Sequence, residues 1–269
     1  MNINLLFTLN KNYLPQLVAL IRSYNFFHPN INTNIYILTS NITKYNLKLY
    51  DQYFSKNNNF HIIKIDNNYF KDAPITKRYP KEMYYRIFAS VFLPSKINKI
   101  LYLDPDIIIN GSLITLYNTN IRDNYFVGAT NIGHIMTKIN QIKNGASKNA
   151  KYINTGVMLM NIKKLRKEQN IQEVYDYINS HQHTLTLPDQ DIISALYGEK
   201  ILLIDNLIYN LSDRIIRQHN IKHFNSNKKI DLKWVDDNTK IIHYFGRNKP
   251  WRKKYRGILD VYYNRFKIK

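Results

Sequence analysis

The chain has 269 residues, 44% hydrophobic and 22% charged, which fits a globular protein with a sizeable core and excludes a disordered or fibrous chain. It contains no cysteine, so a disulfide framework and a thiolate metal site are both excluded. Basic residues outnumber acidic ones 39 to 19, and the formal net charge of +20 favours phosphorylated substrates, anionic lipid or nucleic acid as partners.

No apolar run approaches the roughly 18 residues that a membrane span needs. The first ten residues lack a basic n-region, so the reading is a cytoplasmic protein without a signal peptide. In chain order, residues 3–9 read as a buried strand. Residues 14–27 read as a helix, with Pro15 in its first turn and Leu14, Leu17, Val18, Ile21 and Tyr24 at helical spacing. Strands are predicted over 35–38 and 60–65, with a polar helix over 44–54 between them. Residues 66–79 read as a loop, and Pro80 opens a helix that reaches Phe92 and stops at Pro94. This alternation is the signature of a mostly parallel sheet flanked by helices.

The next strand carries the strongest chemical signal. Lys99-Ile-Leu-Tyr-Leu-Asp-Pro-Asp-Ile-Ile-Ile109 is an apolar run cut by Asp104 and Asp106. Aspartate is depleted in strands, and a buried unpaired charge is costly. Two carboxylates here call for a compensating cation, and a hard divalent metal is the simplest. Ligands of such sheets bind outside the carboxyl ends of strands, where this pair falls.

Farther on, 125–130 reads as a short strand and 131–152 as a polar loop or lid. Residues 156–161 are apolar, a helix follows over 163–179, and Pro188 opens another. Its first turn carries Asp189, Gln190 and Asp191. Strands are read over 201–204 and 240–243. The segment His243-Tyr-Phe-Gly-Arg-Asn-Lys-Pro-Trp251 follows the last of them. His243 suits a third metal ligand, and imidazole beside carboxylates favours Mn²⁺, with Mg²⁺ as the alternative. Gly246 permits close approach of backbone to a ligand, and Lys249 offers a point charge to a phosphate. From residue 247 onward nine Lys and Arg face Asp260 alone, interleaved with Trp251, Tyr255, Tyr262, Tyr263 and Phe266. This basic aromatic stretch reads either as a contact with an anionic membrane surface at the inner face of the plasma membrane, or as a solvated tail.

Six segments in order resemble glycosyltransferase family 8, the retaining, nucleotide-sugar-dependent transferases. They are Phe7-Thr-Leu-Asn-Lys-Asn-Tyr13, Tyr84-Tyr-Arg-Ile-Phe88, Leu101-Tyr-Leu-Asp-Pro-Asp106, Ile153-Asn-Thr-Gly-Val157, Pro188-Asp-Gln-Asp-Ile192 and the His243 to Trp251 segment. The resemblance implies one α/β domain over residues 1–269, of the GT-A type, with a mostly parallel mixed sheet flanked by helices. It implies a metal held by Asp104, Asp106 and His243, and a UDP-sugar donor. Thr8, Asn10, Asn12 and Tyr13 would line the uracil end, while Arg86, Asn154, Asp189 and Gln190 would face the donor sugar. Gly246 and Lys249 would bind the diphosphate. Gln190, Asp189 and Asp191 are the catalytic candidates, and the acceptor would be a saccharide or lipid-linked glycan. The chain differs from the family pattern at Asn10, often acidic, and at Thr130-Asn131-Ile132, where an Asp often stands. These differences keep a non-catalytic UDP-sugar-binding protein as an alternative. A general polyanion binder is the other, though no helix-turn-helix, RNP or zinc pattern marks a specific nucleic-acid reader.

Overall fold

In the computed structural model, which describes residues 2–66, 69 and 81–268, nine strands form among the described residues. They are β1 (Asn2–Thr8), β2 (Asn32–Thr39), β3 (Asn58–Lys64), β4 (Ile100–Leu103), β5 (Ile107–Ile109), β6 (Phe126–Ala129), β7 (Val157–Met160), β8 (Ile201–Ile204) and β9 (Ile241–His243). Seven make one sheet in the order β3-β2-β1-β4-β7-β6-β8. All neighbours run parallel except β7, which lies antiparallel to both β4 and β6. Strands β5 and β9 form a separate antiparallel pair.

The strands are near-continuous apolar runs because both faces of the sheet are covered. Side chains alternate between the two faces. Ile3, Leu5 and Phe7 of β1 and Leu101 and Leu103 of β4 pack with Leu17, Leu20 and Ile21 of helix Leu14–Phe27. Leu6, Ile100 and Tyr102 point the other way, into a second cluster with Tyr84, Tyr85 and Phe88. A third cluster joins Ile108 of β5, Ile242 of β9 and the C-terminal aromatics.

Helix Leu14–Phe27 and strand Ile201–Ile204 have the boundaries that spacing predicts. The expected helix over 44–54 divides into helix Lys44–Lys48 and a 3₁₀ turn, Asp51–Tyr53. The expected loop over 66–79 and the helix start at Pro80 fall mostly outside the described residues. Beyond them, short helices Glu82–Tyr85 and Ala89–Phe92 flank a turn at 86–88. The expected helix over 163–179 is two, Ile162–Glu168 and Ile171–His181. Asn170 breaks it by capping the second, its side chain accepting from Gln172 N and Glu173 N.

The polar stretch 131–152 is not simply a loop, since helix His134–Lys143 occupies its middle. Two glycines of this stretch bracket the helix. Gly133 is the N-cap, and Gly145 takes φ +61° just past the end. Ala146 N then donates to Gln141 O and Gly145 N to Ile142 O, a Schellman closure. In the C-terminal stretch, Tyr262, Tyr263 and Phe266 of helix Asp260–Phe266 are buried against the third cluster, so these three aromatics serve packing. No described helix is long and apolar enough to cross a membrane.

Asp191 is the fixed point of this half of the molecule. Fully buried, it accepts from Asn144 Nδ2 (3.0 Å), Tyr152 OH (2.8 Å), Thr186 N (2.8 Å) and Leu187 N (3.0 Å). It thereby ties the end of helix His134–Lys143 to the start of helix Pro188–Tyr197. Lys143 Nζ also pairs with Asp191 at 3.3 Å, so Asp191→Ala strands five donors, and we expect chemical denaturation to show a loss of roughly 3–5 kcal/mol. A loss under about 1 kcal/mol would contradict this role.

Candidate functional site

The reversed direction of β7 creates the site. Leu103 at the end of β4 pairs with Val157 at the start of β7, so the residues leaving one strand sit beside those entering the other. Asp104 N donates to Gly156 O at 2.8 Å. The small sheet brings the third group, since Ile107 pairs with His243 and Tyr244 N donates to Asp106 O at 3.0 Å. Asp104, Asp106 and His243 thus each offer one ligand atom within 4.8 Å of the others.

Two further observations fit this trio to a cation. Asp106 Oδ1 and His243 Nε2 are buried, 3.2 Å apart, and neither has a hydrogen-bond partner. Such unsatisfied buried atoms are uncommon. Gly156 also leaves the space beside them open: a Cβ there would lie 2.2 Å from His243 Cε1 and 2.7 Å from Asp104 Oδ2. Two carboxylates and an imidazole are a ligand set for Mn²⁺ or a similar divalent ion.

Basic groups flank the trio on both sides. Arg86, from the turn after helix Glu82–Tyr85, contacts Asp104 Oδ1 (3.0 Å) and Asp189 Oδ2 (3.2 Å) and lies over the Tyr102 ring, 4.4 Å from its centroid. Burial opposes the Arg86 charge, but Asp104, Tyr102 and Asp189 hold the guanidinium protonated beyond its ordinary range. On the other side Lys249 pairs with Asp106 and donates to Tyr244 O at 2.7 Å. Burial alone would push the Asp106 carboxyl up, yet the Lys249 ammonium beside it holds it well below the usual carboxylate range. Asp189 goes the other way. Burial raises it, and Arg86 and a hydrogen bond from Thr155 Oγ1 (2.6 Å) offset that only in part.

Thr8 reaches the cluster through Tyr102, 3.0 Å from its hydroxyl, and Tyr102 OH donates to Asp104 Oδ1 at 2.6 Å. Burial pushes the Tyr102 phenol well up, so it stays protonated to make that bond. Asn154 is buried in the turn before β7, where its Oδ1 accepts from Gly156 N at 3.1 Å. Asn10, Asn12 and Tyr13 lie in the turn leaving β1; Asn10 caps it by accepting from Asn12 N at 3.1 Å, and Tyr13 is exposed. Gly246 has φ +83°, the left-handed region that favours glycine. Gln190 is half-buried beside Asp189 on helix Pro188–Tyr197, whereas Asp191 spends its oxygens on the structural network described above.

The profile of glycosyl transferase family 8 matches residues 4–255. The chain belongs to that family. It is 24% identical over 262 residues to a lipopolysaccharide 1,2-glucosyltransferase of Escherichia coli K12, covering 93% of this chain and 73% of that protein. A second E. coli lipopolysaccharide 1,2-glucosyltransferase is 26% identical over 192 residues, with 70% of this chain and 54% of that protein covered. The chain therefore spans between about half and three quarters of the length of these relatives. Its fold is similar to that of the galactosyltransferase LgtC, solved with donor and acceptor sugar analogues. The TM-score is 0.82, the identity 21%, and the coverage 98% of this chain and 95% of that one. The α/β architecture expected from the sequence is thus the one this family uses.

Four residues of this family 8 site receive no role from sequence reasoning. Tyr102 was legible, being two residues before Asp104 and so on the same side of the strand. Thr155 and Gly156 stand inside a family motif but show their purpose only when β7 is placed. Asn210, which contacts the His243 ring, has no local signal at all.

We expect Gly156→Ala to retain the far-UV circular dichroism of the parent while calorimetric titration shows at least tenfold weaker Mn²⁺ binding. Parent-like affinity in that variant would contradict the placement of the metal beside Gly156.

Proposed function

We propose that the protein is a retaining hexosyltransferase that moves glucose or galactose from a UDP-sugar to a saccharide or lipid-linked glycan. The observation that carries this reading is the pair of orphaned, buried ligand atoms, Asp106 Oδ1 and His243 Nε2, beside Asp104 and between two buried cations. A site of this charge pattern suits a metal–diphosphate.

Asp104, Asp106 and His243 would hold Mn²⁺, and the bound ion would supply neutralisation of the charge that develops on the departing diphosphate. Lys249 would add its ammonium to the diphosphate, and Gly246 would let the backbone close on it. Asn10, Asn12 and Tyr13, at the carboxyl end of β1, would face the uracil. Arg86 and Asn154 would orient the donor sugar, and Asp189 would accept from its hydroxyls.

Transfer breaks the bond between the anomeric carbon and the UDP oxygen and forms one to an acceptor hydroxyl. Retention of configuration needs either a covalent intermediate or attack on the same face. Asp189 already binds Arg86 and Thr155, Gln190 is an uncharged amide, and Asp191 serves its structural network. None is a free nucleophile, which favours same-face attack. The acceptor proton then passes to the departing diphosphate oxygen. A glycosyl group trapped covalently on Asp189, Gln190 or Asp191 would overturn that route.

We expect UDP with Mn²⁺ to raise the melting temperature, equivalent to about 2.7 kcal/mol at a hundredfold excess over Kd. Asp106→Asn should abolish the Mn²⁺-dependent part of that shift. No shift with any uridine nucleotide would contradict the donor assignment. Turnover of radiolabelled UDP-glucose or UDP-galactose separates a transferase from a protein that only binds the donor.

A further inference from the structure

The His243 ring has two nitrogens, and only Nε2 faces Asp104 and Asp106. A neutral imidazole carries one proton, so Nε2 can ligate a metal only if that proton sits on Nδ1. Nδ1 lies 2.7 Å from Asn210 Oδ1, inside the fold. An amide oxygen only accepts, so in this contact Nδ1 carries the proton.

Asn210 is itself held in place. It is fully buried, just after helix Asn206–Tyr209. The neighbouring Leu211 makes a parallel bridge to Ile242, accepting from His243 N at 2.7 Å and donating to Ile241 O at 3.1 Å. The backbone beside Asn210 is thus laid along β9. Its Nδ2 faces Asn131, whose Oδ1 accepts from it at 3.3 Å.

We propose that Asn210 is a positioning residue, fixing the His243 proton on Nδ1 and leaving the Nε2 lone pair to the metal. Asn131 supports it by holding the Asn210 carbonyl toward the ring. The chain Asn131–Asn210–His243 thereby links the segment entering helix His134–Lys143 to the metal ligand. Partners on the non-ligating nitrogen of a metal-bound histidine orient the ring and raise its basicity. The inference rests on the metal site proposed above, and the experiment separates the two.

The first readout is the His243 tautomer in metal-free protein, from long-range ¹H–¹⁵N spectra of ¹⁵N-histidine-labelled protein. His243→Gln assigns the signals. The parent should show His243 with its proton on Nδ1, and Asn210→Ala should show a mixture or the Nε2 tautomer. The second readout is Mn²⁺ affinity by calorimetry in the presence of UDP. Asn210→Ala should weaken it about 10–100-fold, and Asn210→Asp, which keeps an acceptor facing Nδ1, should restore it to within a few-fold of the parent. Asn131→Ala should show the smaller loss of a residue acting at one remove.

A parent protein with its proton on Nε2, as the reverse orientation of both amides would give, overturns the assignment of Asn210. Parent-like Mn²⁺ affinity in a folded Asn210→Ala also overturns it. If that variant does not fold, weakened binding in folded Asn210→Asp does the same. Failure of the parent to bind Mn²⁺ overturns the metal site instead, with the tautomer still deciding what Asn210 does.

Discussion

The burial of Asp106 as a charged group is the constraint on which the rest of the site depends. The residue is only 9% exposed and sits in the turn between β4 and β5. An isolated ion there would be expensive, so the fold must bring positive charge to it. It does so with Lys249, 143 residues away in sequence, while His243 Nε2 sits 3.2 Å from the other carboxylate oxygen. That requirement places β9 against β5, brings the segment after β9 over the end of β4, and packs the C-terminal helix behind both. Asp104 imposes the matching demand on the other side, met by Arg86 and Tyr102.

The two halves of this arrangement differ in what they leave unfinished. Around Arg86 the polar contacts are dense, with Asp104, Asp189 and the Thr155 carbonyl all within 3.3 Å of one guanidinium nitrogen. Around His243 two buried lone-pair atoms face each other with no proton bonded between them. The first half is closely bonded at that nitrogen, though Arg86 Nε has no partner. The second leaves two unpartnered ligand atoms where the proposed divalent ion would sit, with room beside them at Gly156.

Much of this was legible in the sequence because the signals were local. A Pro in the first turn and apolar helical spacing define helix Leu14–Phe27. The carboxylates in an apolar run mark the site, and family motifs supply the order of its parts. What escaped depends on long-range placement or on reading one residue type two ways. Gly133 and Gly145 look like loop residues, yet they bracket a helix. Tyr262, Tyr263 and Phe266 show their packing role only once the third cluster is placed. Asn210 is an ordinary polar residue until β9 and the segment beside it put its amide against His243.

The most direct test of the central claim is anomalous diffraction at the manganese edge from crystals grown with Mn²⁺ and UDP. One anomalous peak is expected, bounded by Asp104, Asp106 Oδ1 and His243 Nε2, with the UDP diphosphate against it and Lys249 alongside. A nucleotide bound with no peak there, or a peak held by other residues, would contradict that claim.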